Sequence, residues 1–235
     1  MENREAKKLV RQTPAPIEVP IGQTRVLESH HAAGFEMELD HWAFHKICWV
    51  AVGQGELEFS GSSTDIQRND FLVLPADWPH RFVDDPNEPL TLVMICVDQA
   101  LTATGSALNS IWSSTLKKGT LGQARCAKSA FHHNAFVDDF RRGLREQLER
   151  DAGWQIALTG VAQNLLIRIA RGHCVTREAF ESNSVAAVRG SIEHLDQHFN
   201  EAQRIEDMAE RCDLSPRRFT TLFKAQTGQT FSHYL

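Results

Sequence analysis

No apolar run in the chain approaches the 18 or more residues that a membrane-crossing helix requires; the longest candidates are residues 47–52 and 90–97. Residues 1–11 are too polar for a signal peptide, so the sequence predicts a cytoplasmic protein with no membrane partner. Cysteine is sparse and scattered. Cys48, Cys96, Cys126, Cys174 and Cys212 are odd in number and far apart, which argues against a disulfide framework or a paired zinc knuckle and predicts buried thiols. A basic excess is also missing. The net charge of −5 and a pI near 6.1 argue against a protein whose whole surface grips nucleic acid. Even from Val185 onward, six Lys or Arg stand against seven Asp or Glu. What 235 residues at 42% hydrophobic and 23% charged do provide is material for two small domains with cores of their own.

The strongest pattern lies in residues 204–234. Ile205, Met208, Ala209 and Cys212 fall at i, i+3, i+4 and i+7, one face of a helix, and Ala209 leaves room for a second helix to cross closely. The turn Asp213-Leu214-Ser215 follows, with Ser215 placed to cap the next helix and Pro216 at its first position, where a missing N–H costs nothing. Phe219, Leu222 and Phe223 then face back, Gly228 stops the run, and Arg217, Arg218, Thr220, Thr221 and Lys224 remain outward. Acids gather before the turn, and every charged residue after it is basic. A second helix offering Arg, Lys and Thr suits a major groove, although a helical hairpin with a solvated face has the same spacing.

These residues resemble the first helix-turn-helix of the AraC/XylS transcription regulators. The shared features are Ala209 at the crossing, the capping Ser215, the face Phe219, Phe223 and Lys224, the stop at Gly228, and Phe231-x-x-Tyr234-Leu235 opening a further helix. The resemblance implies that residues 216–226 form a recognition helix contacting double-stranded DNA, with Arg217, Thr220 and Thr221 toward bases and Lys224 near phosphate. Asp213 stands where the family often has Gly, and Thr221 where it often has Arg. The family's domain is similar to two such units joined by a long helix, and residues 230–235 look like only the first turn of that connector. A truncated regulator, with this end frayed and Phe231, Tyr234 and Leu235 exposed, is therefore expected; a naturally short relative remains the alternative.

Upstream, residues 1–16 lack an apolar period and read as a disordered tail. Residues 17–100 read as short strands: Phe35, Met37 and Leu39 alternate with acids, residues 44–52 are densely apolar, Gly53-Gln54-Gly55 suits a tight turn, and residues 71–74 and 90–97 are further strands. Such spacing suggests a small barrel or jelly roll. Residues 45–55, Asn69 to Pro75 and Trp78-Pro79-His80 resemble the cupin sensor domain that precedes AraC-type modules, with Asn69 where the family has Gly. That resemblance implies a small-molecule effector, and His41, His45, Trp49 and His80 are the candidate contacts. His41, His45 and His80, with Glu56 or Glu58, could instead hold a divalent ion, or be barrel-mouth and surface histidines; no cofactor and no metal site is predicted.

Residues 101–183 turn helical. Phe136, Phe140, Leu144 and Leu148 form one stripe, Leu158, Val161, Ala162, Leu165 and Ile169 another, and Asp151-Ala152-Gly153 hinges an antiparallel pair. These stripes are candidates for a homodimer seam, or they satisfy each other and the barrel. Residues 184–235, opening with Val188, Ile192, Leu195 and Phe199, are the partial DNA-binding domain. The expectation is thus an α+β protein: a cupin-like β-barrel, a helical linker and an all-α helix-turn-helix segment. It is read as an effector-responsive DNA-binding regulator rather than an enzyme, with a metal-dependent cupin enzyme or a partner titrating a full-length regulator as alternatives.

Overall fold

The computed structural model describes residues 10–14, 17–59, 61–117, 121–198 and 203–235. Two sheets enclose the first core. The larger joins β1 (Val10–Arg11), β2 (Thr24–His31), β8 (Thr91–Asp98), β3 (Phe44–Val52), β6 (Phe71–Leu74), β9 (Arg125–Ala127) and β10 (Cys174–Thr176), in that order. The smaller joins β5 (Ser62–Gln67), β4 (Gln54–Phe59) and β7 (His80–Asp84). All their pairings are antiparallel except β1 with β2. The turn between β3 and β4 needs Gly53, whose φ is +84° and whose added Cβ would stand 2.2 Å from the Pro89 carbonyl oxygen.

The larger sheet is buried on both faces, and strand alternation divides its residues between two cores. From β3, Phe44, Cys48 and Val50 join Leu57, Ile66 and Phe82 between the sheets. Ile47, with Trp49 and Ala51 against it, joins the helical core on the other face. There α1 (Asn109–Lys117), α2 (Ala130–Glu149) and α3 (Trp154–Ala170) cover the sheet. Ser129 caps α2 through the His132 N–H, and Gln147 reaches the edge of β2, accepting from Val26 N–H at 2.7 Å and donating to its carbonyl. A side-chain amide thus completes an edge that no strand covers there.

The third core belongs to α4 (Arg177–Gln197), α5 (Ile205–Arg211), α6 (Pro216–Thr227) and α7 (Phe231–Tyr234). Helix α4 starts at once after β10, capped by Thr176, so the expected domain boundary at 183/184 falls inside one continuous helix. Other expectations shift too. Phe35, Met37 and Leu39 lie in a loop rather than a strand: Met37 packs against the inter-sheet core, Phe35 stacks on His31, and Leu39 is exposed. Val10–Arg11 pair with β2 where a disordered tail was expected; residues 1–9 and 15–16, like Phe199, lie outside the described residues. Strands β2, β5, β7, β9 and β10 escaped the sequence reading, the last four being polar or only three to six residues long and β2 carrying polar residues between its few apolar ones.

Both helical stripes are used within the chain: Phe136, Phe140, Leu158 and Leu165 are fully buried, while Leu148 at the end of the first stripe is 84% exposed. Phe140→Ala is expected to cost about 3–5 kcal/mol in urea unfolding. Phe131→Ala, at a side chain of the same helix that is 74% exposed, should stay within about 0.5 kcal/mol of the parent. Equal effects at the two positions would contradict this packing.

Candidate functional site

The helix-turn-helix follows from local chemistry. Helix α5 ends where the Leu214 N–H bonds the Ala209 carbonyl at 2.9 Å, a closure that puts Asp213 at φ +55°, the left-handed conformation Asp tolerates. Ser215 Oγ accepts from the Arg218 N–H at 3.2 Å, Pro216 opens α6, and Gly228 at φ +75° closes it. Met208, Ala209 and Phe219 pack against Val188 and Leu195 of α4. Phe231 is only 5% exposed, wedged against Phe219 and Phe223, and the Tyr234 hydroxyl donates to Asp196 at 2.7 Å. Of the three side chains expected to be exposed at this end, Phe231 is buried on α6 and Tyr234 is half-buried, while Leu235 is 54% exposed as expected.

Arg217, Thr220, Thr221 and Lys224 line one shallow surface depression with Ala225. The Thr220 and Thr221 hydroxyls donate to the carbonyls of Pro216 and Arg217, which leaves their methyl groups and oxygen lone pairs for a partner. Arg218 does not join this face. Its guanidinium turns back to Glu181 of α4, so one of the five predicted contacts is committed within the chain.

In the barrel, alternation separates the predicted histidines. His45 faces the helices, not the barrel interior: its Nδ1 accepts from the Ala76 N–H at 2.8 Å, its Nε2 then donates to Thr102 Oγ1 at 2.8 Å, and its ring lies 4.0 Å from Trp112. Trp49 shares that side, against Phe140. His41 precedes β3 on an exposed loop. Of the four predicted effector contacts only His80 reaches the barrel interior, and among the described residues no group of three His, Cys, Asp or Glu could hold a metal ion.

The interior instead carries Lys46, missed because a lysine inside an apolar run reads as an interruption. What the sequence does carry is that Lys46 shares a strand face with Phe44, Cys48 and Val50. Lys46 is 3% exposed; its Nζ donates to His80 Nε2 at 3.1 Å and sits 3.3 Å from the centre of the Trp42 ring. His80 Nδ1 donates to the Trp78 carbonyl at 2.7 Å. Burial pushes Lys46 down to about 8, and burial together with the Lys46 charge pushes His80 down to about 4.

The whole is a double-sheet barrel joined through one helix to a helix-turn-helix. Residues 195–235 match the family model described as bacterial regulatory helix-turn-helix proteins, AraC family. No curated protein matches the chain. Among solved structures it is similar to a cupin protein from Bacteroides fragilis, at 20% identity over 37% of this chain and 74% of that one, TM-score 0.31. It is also similar to the AraC-like transcriptional activator CuxR, at 10% identity, 82% and 65% coverage and TM-score 0.39, and so spans 65% of that chain. A third likeness is ToxT from Vibrio cholerae, at 13% identity, 90% and 97% coverage and TM-score 0.28. At its C-terminus the chain thus carries a helix-turn-helix of the type found in AraC-family regulatory proteins.

His45 and His80 generate a pH dependence. Burial is the first cause of both depressed values, about 4 against 6.5. The unfolded chain takes up these protons near pH 6.5 and the folded one only near pH 4, so their contribution is whole above 6.5 and is lost as pH falls toward 4. Unfolding free energy should drop by on the order of 3 kcal/mol per histidine across that window. His45→Gln should flatten the slope; an unchanged slope in both His45→Gln and His80→Gln would contradict the buried, neutral assignment.

Proposed function

We propose that the protein is an effector-responsive, sequence-specific regulator, in which the barrel binds a small molecule and α6 reads DNA through Arg217, Thr220, Thr221 and Lys224. The observation that carries this reading is the continuity of α4. Arg177, its first residue, reaches into the barrel side and pairs with the buried Asp70 at 2.5 Å. Burial raises the Asp70 carboxyl, while the Gln67 N–H and Arg177 hold it down. One turn on, Glu181 holds Arg218 of the recognition helix. A shift at the barrel edge therefore has a rigid lever to the DNA-reading helix, a two-ended contact of the kind an effector needs in order to bias two states.

The proposal includes a homodimer. Most of the expected seam residues are buried within the chain, so the apolar side chains that support it are Leu148, the exposed end of the first stripe, and Ile156, 84% and 80% exposed beside the turn between α2 and α3. Sedimentation should give a dimer for the parent and a monomer for Leu148→Asp; a monomeric parent at tens of micromolar removes this part of the reading.

Binding to a cognate duplex, followed by fluorescence anisotropy, tests the rest. Arg217→Ala is expected to lose about 1–3 kcal/mol of discrimination between cognate and altered sites. Lys224→Ala should weaken every site alike and lower the salt slope by about 1. Arg218→Ala should do less than Arg217→Ala, because Glu181 already occupies that guanidinium. If Arg217→Ala and Lys224→Ala both leave binding unchanged, α6 is not the recognition helix.

A further inference from the structure

We propose that the barrel binds a small organic monocarboxylate, its carboxylate against Lys46 Nζ and its apolar body along Trp42, Phe82, Phe35 and Met37, which line both the cavity at Lys46 and the basin outside it. This names the effector class and rests on the effector reading above.

Lys46 is a buried cation with no carboxylate in ion-pair range among the described residues; its neighbours are a neutral imidazole and an aromatic face. Burying an ammonium without an anion is costly, and the Trp42 ring offsets only part of that cost. At neutral pH the amine nevertheless keeps its proton, since burial brings it no lower than about 8. An incoming carboxylate supplies the missing counter-charge, and one opposed to a buried cation is held by a charge-assisted hydrogen bond.

The space beside Lys46 has the matching size. A cavity of about 30 Å³ touches Lys46, Trp42, Phe82 and Met94. That is roughly room for two water-sized centres, hence for the two oxygens of one carboxylate. Through walls shared at Pro14, Phe35 and Met37, it adjoins an outer basin of about 800 Å³, large enough for an apolar body.

The basin's rim selects against other anions. Glu36, Glu38, Asp40 and Glu58 line it, and Arg81, the one cation among its lining residues, is already paired with Glu58 at 2.7 Å. A phosphate ester or dicarboxylate carries a second charge that this rim repels and that Lys46 alone cannot balance. A monoanion with an apolar body meets both conditions.

Titration calorimetry on the full chain at pH 7 tests this with hexanoate, benzoate, their amides and phenyl phosphate. At least one of the two acids should bind about 10-fold or more tightly than its own amide. Lys46→Met should bind acid and amide alike, and Lys46→Arg should keep the preference for the acid. The proposal is overturned if acid and amide bind the parent equally, if phenyl phosphate binds best, if Lys46→Met keeps the preference, or if neither acid binds at millimolar concentration. Should Lys46→Met fail to fold, the acid–amide comparison on the parent and Lys46→Arg still decides. DNA anisotropy separates the two readings. An acid that binds through Lys46 without changing DNA affinity sinks the effector role and leaves the site; a DNA response to the amides alone sinks the site and leaves the effector role.

Discussion

The structure depends on β3 being buried on both faces. A strand so placed must send alternate residues into two different cores, and here the two have different chemistry. His45 and Lys46 are neighbours in sequence, yet one completes a hydrogen-bond chain under the helices while the other stands in the barrel beneath Trp42. A slip of one residue would exchange these surroundings along the whole strand, placing Lys46 against α2 and Trp49 between the sheets. The pairings of β3 with β8 and β6 hold that register.

The second constraint is that the sheet does not end where the barrel ends. Strands β9 and β10 extend it past β6, and α4 springs directly from β10 with no linker between them. Arg177 and Glu181, four residues apart on one helix face, bind an acid of the barrel edge and a base of α6. Asp70 is nearly fully buried, so removing Arg177 would leave a charge without its partner, a larger perturbation than the loss of a surface pair. The contact at Arg218 is by comparison half-exposed, which suits the moving end of the lever proposed above.

Electrostatics divides the labour in the DNA-binding half. The chain carries a net charge of −5, and the acids near α6 lie on α4, on α5 and, as Asp213, in the turn before it. What faces outward from α6 is Arg217 and Lys224 with two threonines between them. So small a patch can neutralise few phosphates, so the DNA reading proposed above relies on base contacts more than on general attraction.

The sequence alone determined what is local. Periodicity of 3.6 placed α5 and α6, Ser215, Pro216 and Gly228 fixed the ends of α6, and Asn69 and Asp213 marked turns that take positive φ, 74° and 55° here. The bounds of β3 were legible for the same reason, a dense apolar run closed by Gly53. Only tertiary structure decided which core each residue of β3 enters, that the two helical stripes close on the sheet, that Arg218 turns to Glu181, and that Lys46 rather than His41 or Trp49 faces the barrel interior. Such outcomes depend on contacts between residues distant in the chain: Lys46 meets His80 34 positions away, Arg218 meets Glu181 37 away, and Arg177 meets Asp70 107 away. Spacing along a strand or helix reports which residues share a face, and the partner that covers that face is set by packing.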